Sequence, residues 1–241
     1  MFYLIPLFLH AAAKTVTIRL FGANVPSFHT AHMVSSSCFY LGFSVCATMS
    51  AYELISGRFS RVFGTSEIVP HLLRTYIVHT CVSILHDLLC KKKDRTELIH
   101  HITTITVSCL CLYVHCMHLH ASVLFMTEIS GIPFGIVHLY RQDNFMGAYI
   151  RKRMPHCAYM LSAACVYVTF FFFRVCLLCG LLVLMTWDAT YAFNDGWCIH
   201  TLCSYAVTFF MALLLWCMNL TWFLKIHKIM RKTLTATHNN I

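Results

Sequence analysis

Residues 97–117 read ELIHHITTITVSCLCLYVHCM. The stretch is long and apolar enough to cross a hydrocarbon core, which takes about 20 helical residues. Yet Glu97, His101, Thr104, Ser108, Cys111 and His115 recur at alternating steps of four and three, the period of one helix face. His100 lies beside that stripe. Lipid satisfies no polar group, so a polar stripe on a membrane helix has to face a bundle interior or a water-filled cavity. The stretch therefore predicts a membrane helix and, with it, partners for its polar face.

The composition agrees. The 241 residues are 59% hydrophobic and 11% charged, with a mean hydropathy of +0.68, against roughly 45–50% and 25% for an ordinary soluble domain. A soluble fold of this length could not cover so much apolar surface. Five further spans are expected near Ser36–Ser56, Pro70–Cys90, Leu119–Tyr140, Cys157–Thr186 and His200–Leu224. The fold class is all-α transmembrane, with six membrane-spanning helices. Short loops predict that successive helices are neighbours. The uninterrupted VTFFFFRVCLLCGLLVLM of the fifth span predicts a long, tilted helix. In the fourth, Gly131 and Gly135 permit close helix approach, and Pro133 between them predicts a kink.

The N-terminal MFYLIPLFLHAAAK is too short to span and has no basic leader. Residues 1–34 are read as an interfacial segment, with a cleaved signal as the lesser alternative. Residues 35–232 form the membrane domain and 233–241 a tail. Basic residues orient the chain. Lys14, Arg19, Lys91, Lys92, Lys93, Arg95, Arg141, Arg151, Lys152, Arg153, Lys225, Lys228, Arg231 and Lys232 all fall on one side of six spans, and only Arg58 and Arg61 on the other. The positive-inside rule then predicts both termini in the cytosol. The net charge of +9 belongs to loops facing anionic headgroups. Nucleic acid is not an expected partner.

Several ionisable groups could meet the polar stripe. His86 and Asp87 close the second span at the depth of His100 and His101, Glu128 and Arg174 lie near the middle of the fourth and fifth, and Asn219 lies in the sixth. An intramembrane acid and base each cost several kcal/mol unpaired, so a Glu128–Arg174 pair is expected. From the residues alone, His100 and His101 serve either a functional site or plain interhelical hydrogen bonding. His115, His118 and His120 read as structural or surface groups, and Trp187, Trp197 and Trp222 as interfacial anchors.

No metal centre or bound cofactor is expected. Cys176 and Cys179 have C-x-x-C spacing but no second pair, and the fourteen cysteines read mainly as small apolar packing residues. There is no H-E-x-x-H, and one His-His pair does not make a di-iron site. Nor is there a G-x-S-x-G elbow for a nucleophilic serine.

Four stretches, in order, carry a resemblance: ILHDLLCKKK with ELIHHITTI (residues 84–105), MTEISGIPFGI (126–136), FFFRV (171–175) and MNLTWFLKIHKIMRK (218–232). Together they resemble the TLC-domain family of translocon-associated, longevity-assurance and neuronal-lipofuscinosis proteins, and within it the TLC-domain-containing subfamily. The resemblance runs from about Ser35 to Lys232. It implies a six-helix bundle around an internal lipid-sized chamber, residence in the endoplasmic reticulum or another endomembrane, and a role in membrane lipid homeostasis, sphingolipids included. Carried over from the ceramide synthases of that family, His100 and His101 are the acyl-transfer residues, with Asp87 beside them. Thr104, Ser108, Glu128, Arg174 and Asn219 are the expected substrate-binding residues. Membrane lipids, acyl-CoA as co-substrate and a second copy of the chain are the expected partners. The ceramide synthases carry an acidic H-D-x-x-x-D element where this chain reads HLYRQDNF, residues 138–145, so that Leu139 follows His138. Two readings follow: an acyl-CoA-dependent N-acyltransferase, or a non-enzymatic lipid-trafficking or translocon-associated protein. An ion or proton relay through Asp87, Glu128 and Arg174 has less to support it, because the chain shows no broken-helix inverted repeat.

Overall fold

The computed structural model describes residues 8, 11–15, 25–57, 61–89, 95–141, 147–148, 151–152, 154–192 and 197–238. Arg19, Arg58, Lys91, Lys92, Lys93, Arg153 and Asp143 lie outside them, as does most of the interfacial segment. Every regular element among the described residues is helical. We number six helices: α1 (Val25–Ser56), α2 (Ile68–Leu89), α3 (Arg95–Val114), α4 (His118–Arg141), α5 (His156–Ala192) and α6 (Ile199–His238). Each contains a stretch long and apolar enough to cross a membrane, from His32–Ser56 in α1 to Ile199–Arg231 in α6.

Two helices change pitch inside the bundle. In α4 the residues Thr127–Ser130 tighten into a 3₁₀ turn. Pro133 has no N–H for the Ile129 carbonyl and its ring crowds it, which breaks the α ladder there. In α5, the span whose sequence predicts one long, tilted helix, the residues Phe170–Cys176 form a π-helical segment. No proline or glycine marks this segment in the sequence. Part of its irregular backbone is satisfied from outside: the Trp216 indole of α6 donates to the Val175 carbonyl at 3.1 Å.

The helices close into a ring. α1 packs on α2 and α4, α2 on α3, α3 on α6, α6 on α5, and α5 on α4. Sequential neighbours therefore touch, except that α3 and α4 have only slight contact and find their main partners elsewhere. The link between them explains the departure. His115 and Met117 both take left-handed backbone, at φ 50° and 63°, and the Met117 N–H donates to the Val62 carbonyl at 2.6 Å. This tie to the α1–α2 link carries α4 across to α1.

The half of the bundle next to the α1–α2, α3–α4 and α5–α6 links is dry. Val69, Leu73, Met117, Leu178, Met185 and Leu215 are fully buried in it. Polar staples close that end. The Asp188 carboxylate accepts from Arg61 Nε at 2.7 Å and lies 3.0 Å from His120 Nε2, while the Ser66 N–H donates to His118 Nδ1 at 3.0 Å. His118 and His120 are thus buried structural groups, and His115 is exposed. The cysteines pack less than predicted. Among those described, only Cys111 and Cys116 are buried and none is in a disulfide; Cys176 and Cys179 are exposed on α5. A thiol facing hydrocarbon behaves as a small apolar group, so exposure there costs little.

Candidate functional site

The other half of the ring, toward the α2–α3 and α4–α5 links and the end of α6, is hollow. A cavity of about 380 Å³ opens there, within the range of small-molecule pockets. All six helices contribute to its wall: Ser36 and Tyr40 of α1, Asp87 of α2, Glu97, His100 and His101 of α3, Glu128 and Phe134 of α4, Phe170 and Arg174 of α5, and Trp222 and Ile226 of α6. The α3 stripe points into the bundle from Glu97 to Cys111, whereas His115, beyond the end of the helix, is exposed. Glu97 and His101 line the cavity, and Thr104, Ser108 and Cys111 are buried one, two and three turns deeper.

The inner end of the cavity is a hydrogen-bonded network centred on Arg174, which lies on the π-helical segment. Its Nη2 donates to Glu128 Oε2 at 2.9 Å, Nε to the Ser130 hydroxyl at 2.7 Å, and Nη1 to Asn219 Oδ1 at 3.4 Å. Tyr76 donates its phenol to the other Glu128 oxygen at 2.8 Å. The acid and base are paired, as an intramembrane Glu and Arg must be. Both are more than nine-tenths buried, Glu128 at 5% and Arg174 at 9% exposure. Charge-assisted bonds are the strong kind, and four hydrogen bonds tie the carboxylate and the guanidinium to each other and to three neighbours.

His100 shares the cavity wall with that network. It lines both the cavity and an adjoining void of about 10 Å³, the size of roughly one water. Its Nδ1 is buried and meets no hydrogen-bond partner among the described residues. The ring lies 5.7 Å from that of His101 and the same distance, edge-on, from Trp222. His101 is the next residue along α3, and a carboxylate oxygen each from Asp87 and Glu97 and a ring nitrogen of His101 lie within 4.8 Å of one another. His86 Nδ1 is 3.2 Å from Asp87 Oδ1, and its ring stacks on His32 at 4.0 Å.

The residues singled out in sequence fall into three groups. Asp87, His100, His101, Glu128 and Arg174 line the one cavity. Thr104 and Asn219 line the small void behind it, the Thr104 hydroxyl donating to the His101 carbonyl at 3.0 Å. Ser108, 1% exposed, is buried in helix packing and reaches neither space, because its position on α3 falls in the dry half. Three lining residues carried no signal that marked them in advance. Trp222, expected as an interfacial anchor, also walls the cavity. Tyr40 and Ser36 looked like ordinary residues of an apolar first span. Their position follows from α1 closing the ring against α4, which no local pattern encodes.

A family model describing the TLC domain matches residues 24–228. The chain belongs to the TLC-domain family, a family of membrane proteins concerned with lipids. No curated protein and no solved structure matches it.

Proposed function

We propose that this protein acylates the polar end of a membrane lipid in the cavity, drawing the acyl group from acyl-CoA. The carrying observation is convergence. His100, His101 and Asp87 share one 380 Å³ space with the Glu128–Arg174 network at its inner end and with Phe134, Phe170, Ile226 and Ile229 on its walls. A polar floor and apolar walls suit an amphiphile. His100 is the base, its buried Nδ1 meeting no hydrogen-bond partner among the described residues. It takes a proton from the acceptor amine as the amine nitrogen bonds to the thioester carbonyl carbon, and the carbon–sulfur bond breaks to release the CoA thiolate. Asp87 and Glu97 flank the second imidazole, His101, with carboxylate oxygens within 4.8 Å of a ring nitrogen. Lys225 lines the cavity and Arg95 begins α3 beside it, which supports approach of an anionic CoA from the cytosolic face. An amine-bearing sphingoid base is the favoured acceptor, and the endoplasmic reticulum the favoured location.

A second reading has the cavity hold or pass on a lipid with no chemistry. It is favoured by Leu139 after His138, where the ceramide synthases carry an acid. The test is acyl transfer from labelled acyl-CoA to sphingoid bases and lysolipids by membranes containing the wild type or His100→Ala/His101→Ala at matched expression. Transfer that disappears in a folded double variant supports catalysis. No transfer above control, with lipid still co-purifying, leaves the binding reading.

A further inference from the structure

The geometry points to a divalent transition-metal site at the open end of the cavity, formed by Asp87, Glu97 and His101. Glu97 and His101 are four residues apart on α3, so they project from one face a turn apart, and Asp87 reaches them from the end of α2. Their ligand atoms lie within 4.8 Å of one another. Around a zinc-sized ion, ligands at about 2.0–2.2 Å sit roughly 3.4 Å apart in a tetrahedron, so modest side-chain rotation closes the set.

The donor chemistry selects the ion. Two carboxylates and one imidazole neutralise a 2+ charge and give the mixed nitrogen–oxygen set of zinc, manganese or iron sites, whereas calcium and magnesium take oxygen ligands. Three protein ligands leave at least one coordination position, and the cavity gives it room. An ion between two acidic side chains would also make this end of the cavity hospitable to a phosphate, from a lipid headgroup or from CoA.

The inference does not depend on acyl transfer, and its test uses the metal alone. The full chain, purified in detergent with a tag free of histidine and stripped with chelator, is titrated with Co²⁺ and followed by visible d–d absorption. Zn²⁺ is then added in competition. The expected result is one Co²⁺ per chain, displaced by Zn²⁺, with affinity reduced in Asp87→Asn, Glu97→Gln and His101→Ala by more than the about 10–100-fold that loss of a merely supporting group costs. Glu97→His, which keeps a ligand, should retain Co²⁺ binding with bands shifted by the added nitrogen donor, and His115→Ala, far from the site, should retain the spectrum. A wild type with no Co²⁺ absorption overturns the proposal whether or not the variants fold. So does equal binding by wild type and all three ligand variants.

Discussion

Arg174 makes three different bonds with three different nitrogens: to Glu128, Ser130 and Asn219. Its charge was legible in the sequence as a problem needing an acid, and Glu128 at similar depth was the evident answer. The other two partners were not legible, since a serine and an asparagine in apolar spans have many bland uses. The distinction can be measured. Arg174→Leu leaves Glu128 buried and uncompensated and should destabilise the protein by about 3–5 kcal/mol, read by denaturant or thermal unfolding in detergent. Arg174→Lys keeps the charge but offers one ammonium in place of a fork, so it should recover only part of that loss. Full recovery by lysine would mean that charge alone matters and that the Ser130 and Asn219 bonds are idle. His100 and His101 show the same limit. Their adjacency is in the sequence, but one ring faces the inner network and the other a pair of carboxylates. That assignment depends on where α2, α4 and α6 stand.

At the scale of the helix, periodicity and punctuation are local, and they were read well. The six apolar spans, the inward polar stripe of α3 and the break near Pro133 all follow from neighbours along one chain. Gly131 and Gly135 behaved as their spacing implied: a Cβ on Gly131 would sit 2.7 Å from Cδ2 of Tyr40, and one on Gly135 would run into the Ser37 hydroxyl. Gly131→Ala should therefore cost about 1–3 kcal/mol through overpacking, and because Tyr40 also lines the cavity, it should change lipid retention as well. Gly131→Ala should cost less in a Tyr40→Ala background than in the wild type; an equal cost in both would mean that the α1–α4 approach is not what the glycine protects. The π-helical segment of α5 was missed for a definite reason. It is sustained by Trp216 of another helix, and nothing within FFFFRVC requires it.

Over the whole molecule, the ring places its apolar core at one end and its cavity at the other, where Lys225 lines the wall and Arg95 begins α3. The charge bias predicts that this end faces the cytosol, as the proposed use of a soluble acyl donor requires. In sealed microsomes a C-terminal epitope should be removed by added protease without detergent, and an epitope inserted in the α1–α2 link should survive until detergent is added. The reverse pattern would put the cavity on the lumenal side and remove its access to cytosolic acyl-CoA.

Hydropathy, helical period and charge bias are sums over residues near one another in sequence, and they suffice for six membrane helices, their inward faces and their expected orientation. The order α1–α2–α3–α6–α5–α4 around the ring, the crossing of α4 to α1, and the meeting of Asp87 with Glu97 and His101 are relations between distant segments. They are decided by which helix surfaces pack and by how the α3–α4 link turns, and tertiary structure alone carries that information.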